Sequence, residues 1–176
     1  MVAQVFGALL VIFVGLLFVD LVPLQENMMC EAGTYANASE CPDAVFSQTY
    51  FDARAKFRAA AKAAGAQLSS YTIVEEDNFL YTTDVAVLVG KKKGSLVVHI
   101  SGTHGVEGFI GSAIQTDLLN TWNSSRADGA TIVFVHAVNP YGMAHFRRFN
   151  EHNVDLNRNV MWSDLVTLLH DVALGL

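Results

Sequence analysis

Positive charge is scarce in this 176-residue chain. It has 11 Lys and Arg against 17 Asp and Glu, a formal net charge of −6, and no basic residue before Arg54. Such a balance argues against a nucleic-acid footprint, which needs a basic face. The one basic run, Lys91-Lys92-Lys93, stands between Gly90 and Gly94 and reads as a solvated turn. The basic start of a signal peptide is missing too, and the positive-inside rule has no flank to act on. Cysteine is equally sparse. Cys30 and Cys41 are the only two, too few for a disulfide framework. In an oxidising compartment they would pair around the polar loop 31–40; otherwise they stay thiols. There is no internal repeat and no low-complexity tract, and the part beyond the amino-terminal segment is long enough for one core.

Hydrophobic residues make up 52% of the chain, and one unbroken apolar run occupies Val5 to Val19. A run apolar on every face at the extreme amino terminus reads first as targeting or membrane sequence rather than as a buried helix. Counted from Val2 to Val22 it just reaches spanning length. Residues 1–23 are expected to be a signal anchor or a signal peptide, with the uncleaved anchor favoured, because Ala36-Asn37-Ala38 lies far downstream for a cleavage site. Residues 24–47 then form a linker. Their acidic residues place the domain on the lumenal or extracellular side, membrane-anchored or secreted. Asn37-Ala38-Ser39 and Asn123-Ser124-Ser125 are glycosylation acceptors if a eukaryote secretes the chain.

The coarse pattern alternates. Gln48 to Ala64 is Ala-rich and helix-favouring, stopping at Gly65. Tyr71–Glu75, Val85–Val89, Leu96–Ile100 and Ile132–His136 read as strands. Phe109 to Trp122 reads as a helix, with Ile110, Ala113, Ile114 and Leu118 at helical spacing. Strand, helix, strand from Leu96 to His136 makes a βαβ unit, so the fold class is α/β with a partly parallel mixed sheet and flanking helices. His99 and His136 sit in apolar strands and read as core residues, although His136 lies near a strand end where it could line a site. His145 and His152 read as exposed.

Two clusters carry chemistry. His104-Gly105-Val106-Glu107 sits at the exit of an apparently buried strand, where residues of an α/β sheet face the ligand crevice. Imidazole nitrogen and carboxylate oxygen both suit zinc, and a catalytic zinc takes three protein ligands plus water. The second cluster follows the next strand: Asn139-Pro140-Tyr141-Gly142, Arg147-Arg148, then Asn153 through Asn159. Arginine is suited to forked binding of carboxylates and oxyanions. A solvated turn would account for Asn-Pro and Tyr-Gly, but not for the arginines and asparagines after them.

Together these phrases resemble the zinc carboxypeptidase superfamily, which holds carboxypeptidase A-like peptidases and aspartoacylase-like amidohydrolases. Ser101 to Phe109 and Arg147 to Asn159 resemble most closely an uncharacterised branch of it, a domain of unknown function. The resemblance covers residues 48–160 and implies a phosphorylase/hydrolase-like fold. It also implies zinc as cofactor, with His104 and Glu107 as two metal ligands. Asn157 and Arg158 would grip a substrate carboxylate. Arg147 or Arg148 would stabilise the oxyanion, with Arg148 favoured, and Asp155 would orient the loop or a ligand from behind. The substrate would be a peptide or an N-acyl amino acid.

The family also uses a third ligand, a later His, and a Glu as general base. After Asn159 the chain offers only His170, within an amphipathic stretch at residues 161–176 that carries Leu165, Leu168, Leu169 and Val172 on one face. His170 is too close to Arg158 to match the third ligand, and no carboxylate follows Asp171. The expectation is therefore a hydrolase half-site in a truncated or degenerate copy. The alternatives are a non-catalytic, membrane-tethered binding module, or a chain whose half sheet cannot fold alone.

Overall fold

The computed structural model describes residues 41–92, 94–123 and 129–159. The expected membrane segment, the linker up to residue 40 and the carboxyl-terminal amphipathic stretch lie outside the described residues. Among the described residues no helix is long and apolar enough to cross a membrane.

Helix α1 spans Tyr50–Ala63. Thr49 caps it, its side chain accepting from the Asp52 amide, which satisfies a donor that the first turn leaves orphaned. Lys56 pairs with Asp52 one turn earlier. The helix closes where Gly65 takes φ +76°, with the Ala66 amide donating to Ala61 O and the Gly65 amide to Lys62 O, a closure that needs a left-handed residue. Ala53, Phe57, Ala60 and Ala61 recur at helical spacing and are buried.

Strands β1 (Gln67–Glu76) and β2 (Phe79–Leu88) form an antiparallel hairpin. Its two turn residues, Asp77 and Asn78, have φ of 50° and 65°, the tight mirror-image turn that matches strand twist. Both strands start well before the stretches that announced them: β1 opens on the polar Gln67, Ser69 and Ser70, and Thr82, Thr83 and Asp84 interrupt the apolar residues of β2. Strand β3 (Leu96–Ile100), helix α2 (Gly108–Asn120) and strand β4 (Thr131–His136) follow. The sheet order is β1-β2-β4-β3, with β4 antiparallel to β2 and parallel to β3. The partly parallel mixed sheet with flanking helices is thus as the alternation implied. One expectation needs correcting: β3 is not a buried strand. It is the edge of the described sheet, with Leu96, Val97 and Ile100 all exposed.

Register sorts the strand residues onto two faces. Phe57 and Leu119 pack with Ala86, Leu88 and Phe134 in the larger core cluster, so α1 and α2 cover the same face. The larger cluster draws nothing from the opposite face, where Val133 is buried and Tyr81 joins the smaller cluster. There Val85, Val87 and Val135 are half-buried, while Tyr71 and Ile100 are exposed.

The covered face also holds the polar side chains of Asp84 and His136. Asp84, fully buried, takes Arg54 Nε at 2.7 Å, Arg58 Nη1 at 2.6 Å and the Ser70 hydroxyl. Burial alone would raise its pKa; the bonds from Arg54 and Ser70 and the two guanidinium charges outweigh that and hold it below the usual carboxylate range. His136 stacks on Phe57 at 4.5 Å between ring centroids and meets Ser112 Oγ at 2.9 Å. Burial pushes its pKa down to about 4, so at neutral pH it is an uncharged core residue and does not line the site. Cys41 is buried and disulfide-bonded; Cys30 lies outside the described residues.

Candidate functional site

Parallel strands β3 and β4 end side by side, and the loops that leave them are stitched together through the backbone. The Val138 amide donates to Ser101 O at 3.0 Å and the Asn139 amide to Gly102 O at 2.8 Å. Farther out, the Gly105 amide donates to Arg147 O at 3.0 Å, and the Arg147 amide to Gly142 O at 2.8 Å. Gly105 has no room for a side chain: a Cβ there would stand 2.1 Å from Gly142 O and 2.3 Å from Arg147 O. Beneath the loops, buried Gln115 of α2 ties the strand ends together. It donates to His99 O and Val135 O and accepts from Ser101 Oγ at 2.9 Å. A short helix α3 (Pro140–Ala144) opens the second loop, capped by Asn139 Oδ1 on the Gly142 amide with Pro140 in its first turn.

This stitching brings residues of distant sequence together at His104. Its Nε2 lies 3.0 Å from Asp155 Oδ1. Asp155 is largely buried and takes further bonds from Arg148, whose Nε and Nη2 each lie 2.9 Å from Oδ2, and from the Asn157 amide at 3.0 Å. The bond from His104, then those from Arg148 and the Asn157 amide, hold its carboxyl below the usual range. An ionised carboxylate only accepts, so Nε2 must carry the proton. In the neutral ring Nδ1 is then a bare lone pair. It faces Glu107, with Oε1 at 3.7 Å.

With Nδ1 unprotonated, the two groups would be donors to one cation across that gap. Zinc bonds of about 2.0–2.2 Å put two tetrahedral ligand atoms about 3.4 Å apart, close to the gap observed, and Glu107 is exposed enough to adjust. A carboxylate on the far nitrogen is also the usual partner of a metal-bound imidazole. The separation of His104 Nδ1 and Glu107 Oε1 is thus of the length that two adjacent ligand atoms of one zinc ion would have. Asp155 cannot join them, because it sits on the opposite side of the ring. Among the described residues no group of three His, Cys, Asp or Glu side chains is placed to hold a metal.

Asn157 and Arg158 lie on a one-turn 3-10 helix, Leu156–Arg158, capped by the Asp155 side chain. Both are exposed, and Asp155 is their link to His104. Arg147 points elsewhere, its guanidinium 5.7 Å from the centre of the Tyr141 ring and 3.2 Å from Asn153 Oδ1. His145 and His152 are exposed. Sequence reasoning missed Gln115 and the capping role of Asn139; their signal, a polar residue inside an apolar helix and an Asn before Pro, was present but not used.

Residues 46–171 match the family described as "Protein of unknown function (DUF2817)". The chain belongs to that family. No curated protein and no solved structure matches it. The DUF2817 match takes in His104, Glu107, Arg148, Asp155, Asn157 and Arg158 together, so the whole constellation belongs to one domain of the chain.

Proposed function

We propose that this DUF2817 domain is built as a zinc-dependent hydrolase of the metallocarboxypeptidase type, acting on the amide bond of a peptide or an N-acyl amino acid. One observation carries the reading: the Asp155 carboxylate holds Nε2 of His104 so that Nδ1 faces Glu107. His104 and Glu107 would hold the metal. Bound zinc supplies polarisation of a carbonyl and a lowered pKa for water. Asn157 and Arg158 would hold a terminal carboxylate, and an arginine of the Arg147–Arg148 pair would face the developing oxyanion. A general base and a third ligand are not found among the described residues, so activity would be weak unless both come from elsewhere. That same shortage favours a second reading, a non-catalytic binding module that keeps the carboxylate-gripping loop.

Metal analysis of the purified full chain beside His104→Ala tests the first reading. Zinc bound by the wild type and lost in the variant supports it, and hydrolysis of N-acyl amino acids and peptides would then separate enzyme from binding module. No zinc in a folded wild-type chain overturns it.

A further inference from the structure

We propose that Arg148 is a positioning residue, which acts through Asp155 to fix the orientation and tautomer of His104. The role gains its meaning from the metal-site reading, on which it rests, and it differs from the oxyanion role that the resemblance gave this arginine.

The geometry is a relay. One oxygen of Asp155 accepts from Arg148 Nε at 2.9 Å and forms an ion pair with Nη2 of the same guanidinium, also at 2.9 Å. The other oxygen is left to accept from His104 Nε2 and from the Asn157 amide. Both oxygens are thereby engaged, and the carboxylate cannot rotate without breaking a bond at each end. A guanidinium that is already paired with a carboxylate has its charge compensated, which weakens it as a donor to substrate. Arg148 is itself anchored, because its carbonyl accepts from Asn139 Nδ2 at 3.3 Å, and Asn139 is the buried cap of α3. Arg147, one residue away, makes none of these contacts with Asp155. Its side chain lies over Tyr141 and on Asn153. The adjacent arginines thus serve different neighbours, and only Arg148 reaches the metal-facing histidine.

The consequence is chemical. Without Arg148 the carboxylate is free to turn, and His104 can carry its proton on either nitrogen. A proton on Nδ1 would occupy the lone pair that faces Glu107, and a metal would have to displace it.

Two measurements on the full chain test this. The first is long-range ¹H–¹⁵N correlation NMR of the histidine rings in the metal-free protein, which reports the tautomer. Wild type should show His104 protonated at Nε2 only. Arg148→Ala should show a mixture, Arg148→Lys a partial return, and Arg147→Ala the wild-type pattern. The His136 signals from the core report that each variant is folded; should Arg148→Ala not fold, Arg148→Lys carries the comparison with a smaller shift. The second is Co²⁺ titration followed by visible absorption, where Arg148→Ala should bind at least tenfold more weakly. An unchanged tautomer in both Arg148 variants overturns the proposal, even if wild type binds Co²⁺ well. A wild type that binds no Co²⁺ but loses its single tautomer in Arg148→Ala overturns the metal reading and leaves the positioning role standing.

Discussion

Asp155 and His104 are 51 residues apart in sequence and meet at 3.0 Å. That contact turns two separate motifs into one constellation, because Asp155 also caps the turn bearing Asn157 and Arg158. Replacing Asp155 by Ala should therefore do more than replacing an exposed partner. It removes the acceptor for His104 Nε2–H and frees Arg148 at the same time. Metal affinity should fall by about 10- to 100-fold, read by Co²⁺ or Zn²⁺ titration. Unchanged affinity would show that His104 is oriented by something else.

Asp84 makes a stability prediction. It is fully buried beneath two arginines that remain partly in water. Asp84→Ala removes the carboxylate that Arg54, Arg58 and Ser70 share, and leaves the two guanidinium groups only the Ser70 hydroxyl as an acceptor there. Breaking a buried pair costs about 3–5 kcal/mol when one charge stays trapped. Here both guanidinium groups can rehydrate, so the expected loss is at the low end, about 3 kcal/mol by urea unfolding. A loss below about 1 kcal/mol would mean that the network is solvated in solution.

His136 sets a pH dependence. Its folded pKa is about 4 against 6.5 for an unperturbed histidine. Between those values the unfolded chain binds the extra proton and the folded chain does not, so stability rises with pH through that window. The contribution is complete above about pH 6.5 and lost by about pH 4. A shift of that size corresponds to roughly 3 kcal/mol. Asp84 acts lower: its folded pKa lies below the ordinary 3.8 of an aspartate, so its contribution is present above that value and lost as pH falls through the folded pKa. Urea unfolding at pH 7.5, 5.5 and 4.5 should show the histidine effect in wild type and a flatter profile in His136→Phe. A wild type equally stable at all three values would place His136 in water.

Much of this fold was legible because its elements have the right period. Strand β3 was bounded in the structure as its apolar run implied, and Leu96 to His136 was readable as a βαβ unit. The hairpin was only half legible. In β1, Ser69, Ser70 and Thr72 carry no apolar alternation, and the strand is held by its register with β2. The exposure of β3 was hidden for a different reason: an apolar run shows what a strand could bury, not whether a neighbour is present. In the candidate site, spacing drew attention to His104 and Glu107, which lie 3.7 Å apart. The His104–Asp155–Arg148 relay did not, since it depends on the close approach of two loops.

That approach depends on Gly105, and glycine substitutions can separate contact from backbone strain. Gly65 has φ +76° and nothing within 4 Å of a Cβ position. Gly65→Ala should cost about 1–2 kcal/mol from the left-handed backbone alone and leave metal binding intact. Gly105→Ala meets two carbonyl oxygens at 2.1 and 2.3 Å. Neither belongs to a flexible side chain, so the loops after β3 and β4 must part, at a cost of about 1–3 kcal/mol by analogy with overpacking. The Gly105 bond to Arg147 O would be lost with that movement, and His104 is its immediate neighbour. Gly105→Ala should therefore weaken metal binding as well as stability, whereas Gly65→Ala changes stability only. Equal metal affinity in the two variants would mean that the joined loops are not what holds His104 in place.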